Sequence, residues 1–343
     1  MGIIETPHLD TLWSQGRDFL GTRYAILGGA MSWVSERNLV AAISNAGGFG
    51  FIACGAMTPD LLRVEIEAAQ SLTNKPFGVN LITVHPELDA LIDICINLNV
   101  GHVALAGGLP RGATIKTLND HDIRVLCFAP TVKFARKLVR MGAGAIIIEG
   151  CEAGGHVGPV STGVLAQEIL PEIRDVPVFV AGGIGRGDAI SCYLEMGASG
   201  AQLGTRFVCS EESVAHINFK QAFIKSNARD AVTSAQIDER FPLTPVRALA
   251  NAGTKKFMET QRNVISRFQN GELSQKEAQL EIEHFWAGAL RRAVIEGDVE
   301  SGSIMAGQSV GMVTRIEPMA QIMHTLVSEA ETYLRSGQRE RGT

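Results

Sequence analysis

The chain has 343 residues, of which 45% are hydrophobic, and a formal net charge of -5. This length suffices for one large core or for two domains. The acidic balance and the scattered Lys and Arg residues argue against a nucleic-acid-binding surface, and no apolar run approaches the roughly 20 residues of a membrane span. The six cysteines form no CxxC pair, which argues against a metal site and favours reduced core thiols in a cytoplasmic protein.

Short apolar runs alternate with helical patterns over the first two-thirds of the chain. Eight of these runs are predicted strands, and most of them lack the period-2 alternation of a half-exposed strand. We therefore expect a parallel sheet that helices cover. The predicted strands are Tyr24–Leu27, Gly50–Cys54, Phe77–Ile82, His102–Gly107, Arg124–Ala129, Ala145–Gly150, Val176–Gly182 and Ala201–Phe207.

The intervening helices carry clear start signals. Ser35-Glu36 precedes one amphipathic segment, and Thr58 is placed to cap another helix that has Pro59 at its first position. Ser210 and the acidic residues after it predict a further helix start. Eight strand–helix units fit an α/β fold of the (β/α)8 TIM-barrel type, for which about 250 residues is typical. An open doubly wound sheet is the alternative.

The alternation stops near residue 226. We predict a barrel over residues 1–225 and a C-terminal helical appendage over residues 226–343. Within the appendage, the stretch GSIMAGQ at 302–308 combines small residues with a flexible methionine. This composition favours a loop that returns to the barrel mouth.

The first predicted strand leads into two glycines. Gly28 and Gly29 let backbone approach a flat ligand closely, and Met31 is placed to pack on such a ligand. A tight turn with buried apolar anchors is the alternative. Asn80, at the end of the third predicted strand, is a candidate ligand contact or a backbone cap.

The sixth predicted strand runs into IIIEGCEAGGHVGP, residues 146–159. Three isoleucines end in a glycine-rich turn that carries Glu149 and His156. Active residues of (β/α)8 barrels lie at the carboxyl ends of the strands. His156 is thus a candidate reactive group, with a turn-capping histidine as the alternative.

Glycines also follow the seventh and eighth predicted strands. Gly182-Gly183 and Gly204-Thr205 stand where barrels often bind phosphate through backbone N–H groups. The phosphate grip, the flat platform after the first strand and the one imidazole together fit FMN, a planar phosphorylated cofactor. No lysine stands at a strand end for a pyridoxal Schiff base, and no His/Asp/Glu set suggests a metal.

Several motifs resemble one family closely. The stretches EGCEAGGHVG, AGGI, QLGTRF, PFGVNL and ISNAGGFGFI look like the nitronate monooxygenase (2-nitropropane dioxygenase) superfamily of FMN barrels. The stretches GALRRAVIEGDVESGSIMAGQSVGMV, TRFVCSEESVAHINFK and TSAQ are similar to the flavin-dependent type II enoyl-acyl-carrier-protein reductases of that superfamily. One departure is visible: LGGAM stands at 27–31 where the family usually reads Gln-Gly-Gly-Met.

The resemblance implies contacts with FMN from three parts of the chain. The residues implied to line the ring are Gly28, Gly29 and Met31, with Asn80 and Glu149 beside it. The residues implied to hold the phosphate are Gly182, Gly183, Gln202, Gly204 and Thr205. The residues implied to approach the ring from the C-terminal segment are Ser303, Met305 and Gln308. His156 would be the catalytic histidine.

The implied activity is NAD(P)H-dependent reduction of a 2-enoyl thioester, with a small-molecule or acyl-carrier-bound substrate. Oxidation of alkyl nitronates with O2 is the alternative, and a quinone or flavin reductase is a further one. A flavin-free phosphate-binding barrel is a reading from a different class. The choice between NADH and NADPH and the oligomeric state, a homodimer included, stay open.

Overall fold

The computed structural model describes residues 4–341, apart from the side chains at positions 283 and 338–341. The strands are β1 (Ile26–Gly28), β2 (Phe49–Ala53), β3 (Phe77–Ile82), β4 (His102–Ala106), β5 (Arg124–Phe128), β6 (Ala145–Glu149), β7 (Gly155–His156), β8 (Val178–Ala181), β9 (Gly200–Leu203), β10 (Ala231–Thr233) and β11 (Val246–Leu249). Eight of them close into a parallel barrel in the order β1-β2-β3-β4-β5-β6-β8-β9.

Helices connect the barrel strands and extend the chain at both ends. They are α1 (Pro7–Leu12), α2 (Ser14–Leu20), α3 (Arg37–Asn45), α4 (Pro59–Leu72), α5 (Leu88–Asn97), α6 (Gly112–Asp120), α7 (Val132–Arg140), α8 (Thr162–Ile169), α9 (Gly187–Glu195), α10 (Thr205–Val208), α11 (Ile217–Lys225), α12 (Ala252–Gln269), α13 (Gln275–His284), α14 (Ala289–Arg291) and α15 (Met319–Arg341). Short helical turns lie at Ala228–Asp230, Arg292–Glu296 and Gln308–Met312.

The predicted (β/α)8 barrel is confirmed, and its core explains why the strands read as unbroken apolar runs. Ile146, Ile147 and Ile148 of β6 are all fully buried, because one face of the strand packs inside the barrel and the other packs under helices. Each such side chain contributes roughly 1.5–3 kcal/mol through burial. The last predicted strand ends early, since Gly204 breaks it and α10 follows.

Three short strands form a second sheet in the order β10-β11-β7. In it the loop after β6 pairs with a segment about 90 residues further along the chain, through Gly155 opposite Arg247 and His156 opposite Val246. The sequence pattern did not predict β10 or β11. This sheet joins the barrel mouth to the C-terminal part of the chain.

The buried apolar side chains fall into two clusters. The large one contains the barrel and also residues of α15, such as Met319, Ile322 and Leu326. The small one lies between α12 and α13 and includes Phe257 and Val264. The division of the chain at residue 225 stays a prediction.

No helix in the described part of the chain combines the length and the apolar character that crossing a membrane requires. Among the same residues, no three His, Cys, Asp or Glu side chains cluster as a metal site would need. All six cysteines are free, and four of them are buried. Burial raises the pKa of the Cys54, Cys127 and Cys209 thiols to about 12.

Candidate active site

Three polar side chains lie at the carboxyl end of the barrel without a protein hydrogen-bond partner among the described residues. Asn80 on β3 and Gln202 on β9 are each only 7% exposed, and Glu149 ends β6. Glu149 pairs with Ala181 of β8, which pairs with Gln202, so these two side chains belong to one layer of the barrel. Unpaired polar side chains that are largely buried at the carboxyl ends of barrel strands indicate a ligand-binding mouth.

The Glu149 carboxyl group differs from an ordinary glutamate in its pKa. Burial raises its pKa to about 7, because desolvation disfavours the carboxylate. Near neutral pH the group is therefore divided between its two forms, and its protonated form donates a hydrogen bond. Such a carboxyl group in a barrel mouth is typical of a functional site.

The turn after β8 is built on two glycines in the left-handed region, with φ of +99° at Gly182 and +71° at Gly183. A Cβ added to Gly182 would lie 2.8 Å from Oγ1 of Thr162, and one added to Gly183 would lie 3.0 Å from Cβ of Glu152. Both the backbone angles and the lack of space therefore require glycine. The turn packs closely on the loop that follows β6.

Backbone donors converge beside this turn. The N–H groups of Gly183, Gly204 and Thr205 have no protein acceptor among the described residues. The Thr205 hydroxyl accepts a hydrogen bond from the N–H of Gly307 at 2.9 Å. Unpaired backbone N–H groups at the ends of the seventh and eighth barrel strands form a cradle suited to phosphate.

The glycines after β1 contact different neighbours. A Cβ on Gly28 would lie 2.4 Å from Cδ1 of Ile43, so this glycine permits α3 to pack on the barrel. A Cβ on Gly29 would instead lie 3.4 Å from the Gln202 side chain, and Sδ of Met31 is 3.4 Å from the Cβ position of Gly204. Gly29 and Met31 therefore join the residues at the mouth, whereas Gly28 contacts α3.

The loop after β6 separates its two polar residues. The Glu152 carboxylate accepts hydrogen bonds from the backbone N–H and the hydroxyl of Thr162, each at 2.9 Å, and so caps α8. His156 lies on β7 with an exposed side chain that has no hydrogen-bond partner among the described residues. Glu152 therefore has a structural role at the start of α8, whereas the His156 imidazole can contact a ligand.

The C-terminal segment contacts this loop. The N–H of Gln308 donates to the Glu152 carbonyl at 2.9 Å. Met305 forms an isolated bridge with Ala248, and its Sδ is 3.6 Å from the Cβ position of Gly155. Ser303 is buried, and its N–H donates to the carbonyl of Ala289 at the start of α14. Met305 and Gln308 therefore lie against the mouth, while Ser303 packs towards α14.

Sequence reasoning missed Arg247. This residue lies in the middle of β11 with 8% of its surface exposed, and it donates to backbone carbonyls of the mouth loop and of β10. The available signal was a single charged residue inside the apolar run PVRALA. Its partners could not be inferred, because they come from segments distant in sequence.

The model of the nitronate monooxygenase family matches residues 14–329. The chain belongs to the nitronate monooxygenase family. It is therefore an enzyme, and its family places it among flavin-dependent oxidoreductases. The resemblance seen in the motifs is confirmed by this match.

Proteins with different names are similar to the chain. The structure of FabK from Thermotoga maritima has 36% sequence identity and a TM-score of 0.85, with 94% of this chain and 98% of that chain covered. A hydroxy-methyl-oxo-octahydro-indene-carboxyl-CoA dehydrogenase of Rhodococcus jostii is 28% identical over 94% of this chain and 97% of its own length. A probable nitronate monooxygenase of Staphylococcus aureus is 26% identical over 93% and 98%.

Proposed function

We propose that the chain is an FMN-dependent NAD(P)H oxidoreductase that reduces a 2-enoyl thioester. The observation that carries the proposal is the set of unpaired polar side chains at the mouth, Asn80, Glu149 and Gln202, beside a glycine cradle. A flat cofactor with many hydrogen-bonding atoms would satisfy that set, and its phosphate would suit the cradle.

The described residues fit both the phosphate and the ring of FMN. The N–H groups of Gly183, Gly204 and Thr205 would hold the phosphate, since they lack protein acceptors. Asn80 and Gln202 would bind polar edges of the ring, and Gly29 leaves room for its plane. When bound, FMN supplies hydride transfer from the nicotinamide to the substrate.

His156 would serve the substrate half of the reaction. Hydride addition at the β-carbon leaves negative charge on the thioester oxygen, and a proton must then reach the α-carbon. An exposed imidazole on the loop at the barrel mouth can donate to that oxygen or hold that proton. Histidine suits the role because its two ring nitrogens can donate or accept a proton.

The choice of a thioester rests on two supports. The segment at 302–308 reaches the mouth through the Gly307 and Gln308 N–H groups, and its motif is the one that resembles enoyl-acyl-carrier-protein reductases. One similar protein is also named for a carboxyl-CoA compound.

A second candidate is the oxidation of alkyl nitronates with O2. The similarity to probable nitronate monooxygenases favours it. The same mouth would accept a planar anion beside His156, and the reaction would need no nicotinamide.

Two half-reactions measured without oxygen separate the candidates. The purified protein is first reduced with NADH or NADPH, and bleaching of the visible flavin absorbance is followed. Crotonyl-CoA, an alkyl nitronate or a quinone is then added. The proposal predicts reduction by a nicotinamide and fast reoxidation by crotonyl-CoA. Slow reduction by both nicotinamides, with rapid turnover of nitronate in air, would instead establish the second candidate.

A further inference from the structure

Arg247 carries a buried positive charge at the barrel mouth. Its Nε donates to the carbonyl of Cys151 at 2.8 Å, and its Nη1 donates to the carbonyl of Ala231 at 2.5 Å. The first carbonyl belongs to the loop that leads to His156, and the second belongs to β10. The guanidinium therefore joins the reactive loop to the second sheet.

Arg247 forms no ion pair with a described residue, although it is 92% buried. The two nearest carboxylates along the chain from its carbonyl partners are engaged elsewhere. Glu152 caps α8 through Thr162, and Asp230 accepts from the N–H of Asn227 at 2.7 Å. Carbonyl dipoles offset only part of a buried charge, so a guanidinium in this position favours an anion nearby.

We propose that Arg247 is a positioning residue that provides a fixed positive potential for an anionic reacting group at the mouth. It acts through the loop that it holds by the Cys151 carbonyl and that leads to His156. It does not act by direct contact, because Arg247 pairs with Gly155 and His156 pairs with Val246, so the two side chains lie on opposite faces of the β7–β11 pair. The proposal rests on the proposed function. Both candidate reactions provide an anionic reacting group, because an enoyl thioester forms an enolate during the reaction and a nitronate is an anion from the start.

The Cys151 thiol reports the same field independently of any substrate. Burial raises its pKa, the Glu152 carboxylate raises it further, and the Arg247 charge opposes both. Cys151 is half-buried, so a small alkylating reagent can reach it. Its alkylation is therefore a local probe of whether Arg247 carries effective charge.

Two variants separate charge from hydrogen bonding. Arg247→Gln keeps an N–H donor for a carbonyl and removes the charge. Arg247→Lys keeps the charge and loses the planar guanidinium that donates to two carbonyl groups. Arg262→Gln on the exposed face of α12 is the matched control. All are compared by FMN content, thermal unfolding, nitrate binding and the pH dependence of Cys151 alkylation, followed on its peptide by mass spectrometry.

Nitrate is the probe because it is a small planar monoanion, and its binding can be measured without any catalytic turnover. The Gln variant is expected to bind nitrate roughly tenfold more weakly, and its Cys151 is expected to react only at higher pH. The Lys variant should stay close to the parent in both measurements. Turnover per bound FMN should fall by about 10²-fold in the Gln variant and much less in the Lys variant.

The opposite pattern would overturn the proposal. If the Gln and Lys variants lose nitrate affinity equally, or if the Gln variant keeps the parent's nitrate affinity and Cys151 titration, Arg247 only connects two carbonyls. Should the Gln variant not fold, a Lys variant with lost nitrate affinity contradicts the proposal and one with retained affinity supports it. Failure of every substrate in the parent would count against the proposed function, whereas nitrate binding and Cys151 still test Arg247.

Discussion

His156 is the residue through which the loop after β6 would take part in the reaction. The imidazole is exposed and has no partner among the described residues, so its loss should cost little stability. His156→Ala is predicted to lower the substrate half-reaction by roughly 10²–10⁴-fold, which is the range of general acid–base help. FMN should stay bound, because the predicted phosphate cradle lies on β8 and β9.

Turnover per bound FMN is the measurement for this variant, with His121→Ala, an exposed histidine after α6, as the control. A variant that loses thermal stability and FMN together, yet keeps its turnover per FMN, would mean that His156 only caps the turn. The present structure favours the reactive role, since the side chain caps nothing that is described.

The raised pKa of Glu149 leads us to expect that the free energy of unfolding depends on pH. Its folded pKa is raised to about 7, while the unfolded chain has the ordinary value near ~4.3. Between these values unfolding releases a proton, so the free energy of unfolding falls as the pH rises through this window. Below it the group is protonated in both states and has no effect.

Glu149→Gln should remove this slope from the FMN-free protein. At pH 8 the variant is expected to be more stable than the parent by at most about 4 kcal/mol, and at pH 4 the two should be nearly equal. Urea unfolding at both pH values measures the difference. An equal gain or loss at the two pH values would contradict a raised pKa.

At the scale of elements, the C-terminal segment docks by close backbone contact. A Cβ on Gly307 would lie 2.8 Å from the Glu152 carbonyl oxygen and 3.0 Å from the N of Gly154. Gly307→Val should therefore lift the segment from the mouth loop at a cost of about 1–3 kcal/mol. FMN affinity is expected to fall at least roughly tenfold if the segment closes the site, since that loss corresponds to about 1.4 kcal/mol.

Gly158→Ala is the control for this element, because an added Cβ there meets no atom within 4 Å. Titration of the FMN-free proteins with FMN gives the affinities, and thermal unfolding gives the stability. A Val variant that is destabilised but binds FMN and turns over like the parent would reduce the segment to simple packing.

Local signals predicted some helix starts well. Thr58 caps α4 through a hydrogen bond from the Leu61 N–H to its hydroxyl, with Pro59 at the first position, as expected. Ser210, in contrast, was wrong as a helix start. There α11 begins at Ile217, where His216 accepts from the backbone instead.

Non-local contacts account for the elements that were missed. Strands β10 and β11 are three and four residues long, so neither carries a clear period. They exist because β7 pairs with β11 across a long sequence separation, and Arg247 adds a bond to the same loop. Neither pairing leaves a trace in local composition.

For the molecule as a whole, the closed barrel was predictable because the chain has eight apolar runs and most of them lack period-2 alternation. The site was predictable only in part. Glycine pairs pointed to the turn after β8, whereas the different orientations of Gly28 and Gly29 depend on how α3 and β9 pack around β1. Similarly, Glu149 stood out by its position, but its raised pKa follows from burial that only the folded barrel creates.

We propose that the mouth of this barrel binds FMN, and the bound cofactor can be tested directly. The purified protein is denatured, and the released cofactor is identified by chromatography and quantified against the protein. We predict FMN close to one equivalent per chain, with a yellow native protein. Release of FAD, or a colourless protein that takes up no FMN when FMN is added, would contradict the account.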